Sequence, residues 1–182
     1  DLHPVNRRQR QMFIRDSPNV VRMQVKAAGL NFPDVLIIQG KYQMQPPMPF
    51  VPGGESAGVV TEVGSAVTRW SVGDSVIQLG GVGGFASEAV VNENALLPKP
   101  DGIDFTAAAG VGMTYFTSYY ALKQRGQLKA GETMLVMGAA GGVGSTAVEL
   151  GKVMGARVIA AASSDETVSY THLRAHETTC DL

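Results

Sequence analysis

Residues 132–163 read ETMLVMGAAGGVGSTAVELGKVMGARVIAAAS, and a fold class can be built outward from them. ETMLVMG is a short apolar run of the length of a buried strand. STAVELGKVMG follows with helical spacing, placing Val143, Ala147, Leu150 and Met154 on one stripe of a 3.6-residue period. Gly155 supplies the stop, and RVIAAAS is a second short apolar strand. Strand, glycine turn, helix and strand make one βαβ unit of the parallel type. The turn is GAAGGVGS, Gly138 to Ser145. Set on the dinucleotide pattern G-x-G-x-x-G, it puts Ala139, Gly141 and Gly144 at the glycine positions, with Ala140, Gly142 and Val143 between them. Gly141 would let backbone approach a pyrophosphate, and Gly144 would let the helix pack close to the strand. Amides at the start of the helix would then face the phosphates, aided by the helix dipole. The alternative is an ordinary tight turn between strand and helix. GGVGG at Gly80–Gly84 is the contrast, because no helix follows it and it reads as a loop between strands.

The tip of the second strand bears on which nucleotide is held. A site for NAD usually carries Asp or Glu there, on the ribose 2′-hydroxyl. Here the strand ends Ala161, Ala162, Ser163, Ser164, with no carboxylate to repel a 2′-phosphate and two hydroxyls able to donate to it. The expected cofactor is NADPH. The other reading of Ser163 and Ser164 is as caps of a following helix, with Asp165 and Glu166 in its first turn.

Upstream the periodicity changes. From Val20 to about Pro100 the chain reads as short strands broken by glycine and proline. VVRMQVKAAGL alternates, with Val21, Met23 and Val25 on one face and Arg22, Gln24 and Lys26 on the other. SAGVVTEVGSAV, DSVIQL and FASEAVVNENALLPKP continue the pattern, which predicts a barrel or sandwich. NFPDVLIIQGKYQMQPPMPFVPGGE is too proline-rich for a regular element after Gly40 and has the character of a functional loop. DFTAAAGVGMTYFTSYYALKQRG is helix-compatible, interrupted by Gly110 and Gly112. The division expected is a β domain over 1–100, the start of a nucleotide-binding α/β domain over 101–166, and a tail over 167–182.

Composition narrows the partners. With 182 residues, 45% of them hydrophobic, the chain can bury a core. A formal net charge of −1 gives no reason to expect nucleic acid or an anionic membrane. No apolar run approaches the length of a membrane span. The single cysteine, Cys180, excludes an internal disulfide framework and fits a reducing, cytoplasmic setting. Arg7, Arg8 and Arg10 read as a solvated stretch rather than a transit peptide.

VKAAGLNFPDVLIIQGKYQ, PFVPGGESAGVVTEVGSAV, GGFASEAVV and LVMGAAGGVGSTAVELGKVMGARVIAAASSDE together resemble the zinc-free, quinone oxidoreductase (zeta-crystallin-like) branch of the medium-chain dehydrogenases/reductases. The resemblance covers Val20 to Glu166 almost without gaps. It implies a GroES-like β-barrel followed by a Rossmann domain, NADPH in the cleft between them, and hydride transfer to a quinone or conjugated carbonyl. Relatives of this type are commonly homodimers. Zinc-dependent relatives carry a cysteine ligand where this chain has Asn31. A catalytic zinc needs three ligating side chains, and Val20–Glu166 contains neither Cys nor His, so no metal is expected.

Without a metal, negative charge developing on the acceptor has to be met by hydrogen-bond donors or solvent. Asn31 matches an asparagine that the resemblance places near the nicotinamide, where its amide could donate to the substrate oxygen. It can also be read as a turn residue after Gly29. Tyr42 matches a tyrosine bordering the substrate cleft, as pocket lining or as an acid, although a phenol of ordinary pKa is a poor acid at neutral pH. Thr114 matches a threonine on the nicotinamide side of the cofactor, the alternative being a hydroxyl bonded to its own helix. Met44, Met48 and Phe50 make a flexible apolar wall or simply pack a surface loop.

After SSDE the resemblance stops. TVSYTHLRAHETTCDL resembles the translation of a transposase adaptor used in preparing sequencing libraries, so residues 167–182 are set aside, His172 and His176 at i, i+4 included. The expectation is that a parallel sheet stopped after two strands exposes an open edge, and that the 182-residue chain is an inactive fragment prone to aggregate. An enoyl-thioester reductase of the same superfamily and a non-catalytic NADPH-binding protein stay open as alternatives.

Overall fold

The computed structural model describes residues 17–162, and they form two compact units, one ending at Gly112 and one beginning at Met113. Ser163, Ser164, the arginines near the start and residues 167–182 lie outside the described residues.

The first unit is built on five antiparallel strands: β1 (Val20–Gly29), β2 (Glu55–Val63), β3 (Ser75–Leu79), β4 (Glu88–Asn92) and β5 (Leu96–Pro98), in spatial order β4-β1-β2-β3-β5. The two outermost strands, β4 and β5, are joined by one three-residue 3₁₀ turn, Glu93–Ala95. Across a flat five-stranded sheet those edges would stand roughly 19 Å apart. A four-residue step from Asn92 to Leu96 reaches about 14 Å at most. The sheet therefore curls, which is the curvature a barrel needs. Its concave core is Val21, Met23, Val60, Val76 and Leu96, all 0–1% exposed, with Trp70 at its margin. Trp70 donates its indole N–H to Glu93 O at 3.0 Å, so the large ring is buried without an orphaned donor.

β1 carries the alternation expected of it, with one exception. Arg22, assigned by period to the polar outer face, is only 8% exposed. Register shifts between Arg22 and Met23, and between Val25 and Ala27, break the strict period there. The guanidinium lies between carboxylates of the two flanking strands, 3.2 Å from Glu62 and 3.5 Å from Glu88. Long-range pairing makes that burial tolerable.

Between β1 and β2 runs a short helix, α1 (Phe32–Ile38), and then an irregular segment. Pro33 at the start of the helix and Asp34, which accepts the Asn31 backbone N–H at 2.9 Å, are ordinary helix-initiating features. Asp104 caps α2 (Phe105–Ala108) by accepting Ala107 N–H at 2.7 Å. Ala108 and Ala109 then pack on Ala57 and Ile77 of the sheet. Because of that packing, residues 101–112 belong with the first unit, and the break falls at Gly112/Met113 rather than after Pro100.

The second unit begins with one irregular helical segment: π-helical Gly112–Phe116 (its first residue still in the first unit), α3 (Thr117–Tyr119) and π-helical Tyr120–Arg125. The expected βαβ unit follows as β6 (Thr133–Met137), α4 (Gly142–Val153) and β7 (Arg157–Ala161), the strands parallel and in register from Thr133–Arg157 to Met137–Ala161. Gly155, at φ +81°, ends the helix as expected.

Two details differ from the periodicity. β6 is not a buried strand: Val136 is 8% exposed, but Leu135 and Met137 are 59% and 62% exposed. α4 covers one face of the strand pair, and among the described residues the other face is open. The helix, too, buries Thr146, Val148 and Gly151, while Val143 of the predicted stripe is 45% exposed. A Cβ on Gly151 would stand 2.4 Å from Met134 Cε, so the close approach of helix to sheet occurs there.

Candidate cofactor turn and the Asn31 cluster

The glycine turn is shaped by close backbone contacts. Gly138 leaves β6 at φ +66°, a conformation that favours glycine. A Cβ on Gly144 would lie 2.2 Å from Gly138 O and 2.9 Å from Ala139 Cα, so the first turn of α4 sits directly against the turn that precedes it. The tight spot at Gly144 is thus against that turn, whereas the sequence places it against the strand. Gly141 is extended at ψ 162°, and the first rung of the helical ladder is Ser145 N–H to Gly141 O at 2.8 Å. The amides of Gly142, Val143 and Gly144 precede that ladder and point out of the helix N-terminus. Gly141, Gly142 and Val143 are exposed, as is Ala140. Ala139 has a different task. Its N–H donates to Ala161 O at 3.0 Å and its side chain packs with Val136, Val148 and Val158, so it joins the turn to β7 and offers no amide to a ligand.

Thr114 is brought to this turn. Its methyl carbon would be 3.1 Å from a Cβ on Gly142, and its carbonyl accepts from Thr146 Oγ1 at 3.2 Å. Thr146 and Ser118 form a buried hydroxyl pair at 2.7 Å, with Ser118 also donating to Val143 O at 2.8 Å. Tyr115 donates to the Glu149 carboxylate, and that bond, with burial and the adjacent negative charge, raises the phenol above its ordinary value. These ties hold the segment carrying Thr114 against the first half of α4. Sequence reasoning missed Ser118 and Thr146, which look like ordinary helix-interior hydroxyls until the two helical segments are packed together.

In the first unit, Asn31 precedes α1 and is half-buried. Its Nδ2 donates to Glu55 Oε2 at 2.9 Å and lies 3.5 Å from Gly29 O. Glu55 is fully buried, and its other oxygen accepts the Gly112 N–H at 2.6 Å. Asp34, 2% exposed, accepts the backbone N–H groups of Asn31 at 2.9 Å and Gly54 at 3.0 Å. Two buried carboxylates thus hold one asparagine. The sequence offers a partial signal: N-F-P-D marks a helix start, but nothing local announces Glu55. Tyr42 is half-buried in the irregular segment after α1, and Met44 and Met48 of that segment are 40% and 80% exposed. Among the described residues, no group of three His, Cys, Asp or Glu side chains could hold a metal ion. None of the helices there is long and apolar enough to cross a membrane.

Comparison with known proteins now gives this geometry a family. The Alcohol dehydrogenase GroES-like domain matches residues 17–101. A quinone oxidoreductase-like protein 2 homolog of Nematostella vectensis is 45% identical over 150 residues, 81% of this chain and 41% of that protein. The quinone oxidoreductase of Pseudomonas aeruginosa is 40% identical over 168 residues, 85% of this chain and 51% of its own. Among solved structures, the Escherichia coli quinone oxidoreductase complexed with NADPH superposes with a TM-score of 0.82 at 31% identity, covering 90% of this chain and 50% of that one. CurK enoyl reductase gives 0.78 at 32% identity, covering 88% and 51%. The chain spans about half the length of the curated relatives it matches. A GroES-like sheet joined to the opening βαβ unit of a nucleotide-binding fold, with these relatives, places the chain in the quinone oxidoreductase-like branch of the medium-chain dehydrogenase/reductase superfamily.

Proposed function

We propose that the complete protein to which these residues belong is an NADPH-dependent reductase of quinones or α,β-unsaturated carbonyls that works without a metal. The observation that carries the reading is the Gly138–Gly144 turn, closed tightly at Gly144, with Gly142 and Val143 exposed and the amides of Gly142, Val143 and Gly144 ahead of the helical ladder, where they would receive phosphate oxygens. β7 ends at Ala161, with Ala162 next and no carboxylate at either position, which favours a 2′-phosphate over a bare ribose hydroxyl. Gly141 keeps the approach to the cradle open, Ala140 borders it, and Thr114 flanks it beside Gly142.

NADPH supplies the hydride that adds to the electron-poor carbon of the acceptor. The chain's own residues bind, orient and exclude water. Asn31 and Tyr42 border the acceptor, and Met44 and Met48 offer it an adaptable apolar wall. The proton that completes the reduction at the acceptor oxygen comes from solvent. The family resemblance implies a homodimer in the cytoplasm, and we take that as part of the proposal.

Similarity to CurK enoyl reductase supports a second acceptor class, an enoyl thioester, for the same turn and the same hydride. The test is NADPH oxidation by the purified complete protein with a panel of quinones, enones and enoyl thioesters. Turnover is expected with the first two classes. Turnover confined to enoyl thioesters moves the assignment to that class. Micromolar NADPH binding with no turnover on any panel member overturns the enzyme reading in favour of a non-catalytic binding protein.

A further inference from the structure

We propose that Ser118 and Thr146 are positioning residues for the cofactor phosphates, acting through the peptide unit between Val143 and Gly144. This rests on the reading that the Gly138–Gly144 turn receives those phosphates. A trans peptide unit is planar, so the C=O of Val143 and the N–H of Gly144 point in opposite directions and turn together. Ser118 Oγ lies 2.8 Å from Val143 O, and Thr146 Oγ1 lies 3.0 Å from the same oxygen. The two hydroxyls are 2.7 Å apart and carry one proton each. With one proton bridging the pair, the other is left for a carbonyl. When Ser118 gives it, the acceptor is Val143 O. When Thr146 gives it, Val143 O is again the nearest carbonyl, ahead of Gly142 O and Thr114 O at 3.2 Å each. Either arrangement holds the C=O end of the peptide whose other end is the Gly144 N–H.

Ordinary back-bonding of a helical threonine accounts for the contacts of Thr146 with the two carbonyls of its own helix. It does not account for Ser118, which comes from another segment, 25 residues from Val143. Ser118 is 1% exposed and Thr146 6%, and packing two helical segments needs no hydroxyl at that depth. The segments are also tied elsewhere, since Tyr115, three residues before Ser118, bonds Glu149, three residues after Thr146. π-helical stretches flank Ser118 on both sides, Gly112–Phe116 and Tyr120–Arg125, and such turns are uncommon and recur at functional positions. A hydrogen bond at a carbonyl polarises its peptide and makes the opposite N–H a better donor. That gain matters when an anion sits on the N–H.

The complete protein carrying Ser118→Ala together with Thr146→Val tests this with almost no change of shape. Removing both hydroxyls at once strands no buried donor, so the melting temperature is expected to stay within about 5 °C of wild type. The NADPH dissociation constant is expected to rise roughly three- to tenfold, the effect of one modest hydrogen bond. Thr146→Ser keeps the hydroxyl and is expected to bind NADPH as wild type does. Adenosine 2′-monophosphate, which has no diphosphate, is titrated beside NADPH and is expected to bind all of these proteins alike. A folded double variant with unchanged NADPH affinity overturns the role. So does an equal loss for NADPH and adenosine 2′-monophosphate, which is the mark of a loosened unit. If the double variant does not fold, Ser118→Ala alone takes its place, with Thr146 then dividing one proton among three carbonyls. A loss of at least about twofold, for NADPH only, is then expected, and no loss overturns the role. In the 15N-labelled wild-type protein NADPH is expected to move the Gly144 amide resonance. If NADPH does not bind, or binds without moving it, the reading of the turn fails, and this role with it.

Discussion

β1 and β6 are both apolar strands, yet the structure treats them differently. In β1, Val21 and Met23 are 0% exposed; in β6, Leu135 and Met137 are 59% and 62% exposed. β1 lies inside a curled sheet between β2 and β4, and its inner face meets Val60, Val76 and Leu96 across the core. β6 pairs with β7 and is covered by α4 on one face. Alternation tells which residues share a face, but burial depends on what covers that face. A strand pair with one helix therefore behaves as half of a core.

The sharpest way to break this contrast is truncation inside the first core. Met23→Ala should cost about 2–5 kcal/mol of unfolding free energy, because the curled sheet around it has little freedom to collapse into the cavity. A loss below about 1 kcal/mol in a urea titration would show that the sheet core is as loosely held as β6.

A smaller global effect with a large local one is expected at Gly144→Ala. The added methyl meets Gly138 O at 2.2 Å, so the turn has to open. NADPH affinity should drop by at least about tenfold, the size of one or two lost charge-assisted bonds. Melting temperature should move far less than for Met23→Ala. Unchanged affinity would mean that the closeness of this turn serves packing alone.

The least effect belongs to the open face. Leu135→Thr combined with Met137→Thr should shift the stability of the 182-residue chain by no more than about 0.5 kcal/mol, as surface substitutions do. A loss above about 1 kcal/mol in the same titration would reveal that this face is covered after all.

Much of the path of the chain was legible from local pattern. The order of strands, the βαβ unit, the glycine turn and the stop at Gly155 all follow from periodicities and turn residues within a few positions of one another. The start of α1 was also written locally, in Asn31–Asp34. The burial of Arg22 was not legible because its two partners, Glu62 and Glu88, sit on other strands. The helical stripe of α4 was misread because Thr146 is buried by Ser118 and Gly151 by Met134, contacts that no spacing within the helix encodes.

By itself the sequence determined which segments are strand, helix or turn and where glycine was required, since those preferences come from backbone sterics and side-chain period over short range. Tertiary structure alone decided which faces became core and which partners the Asn31 side chain and Gly112 found. Glu55 meets Asn31 across 24 residues and Gly112 across 57, and a hydrogen bond at that separation exists only once the chain has folded back on itself.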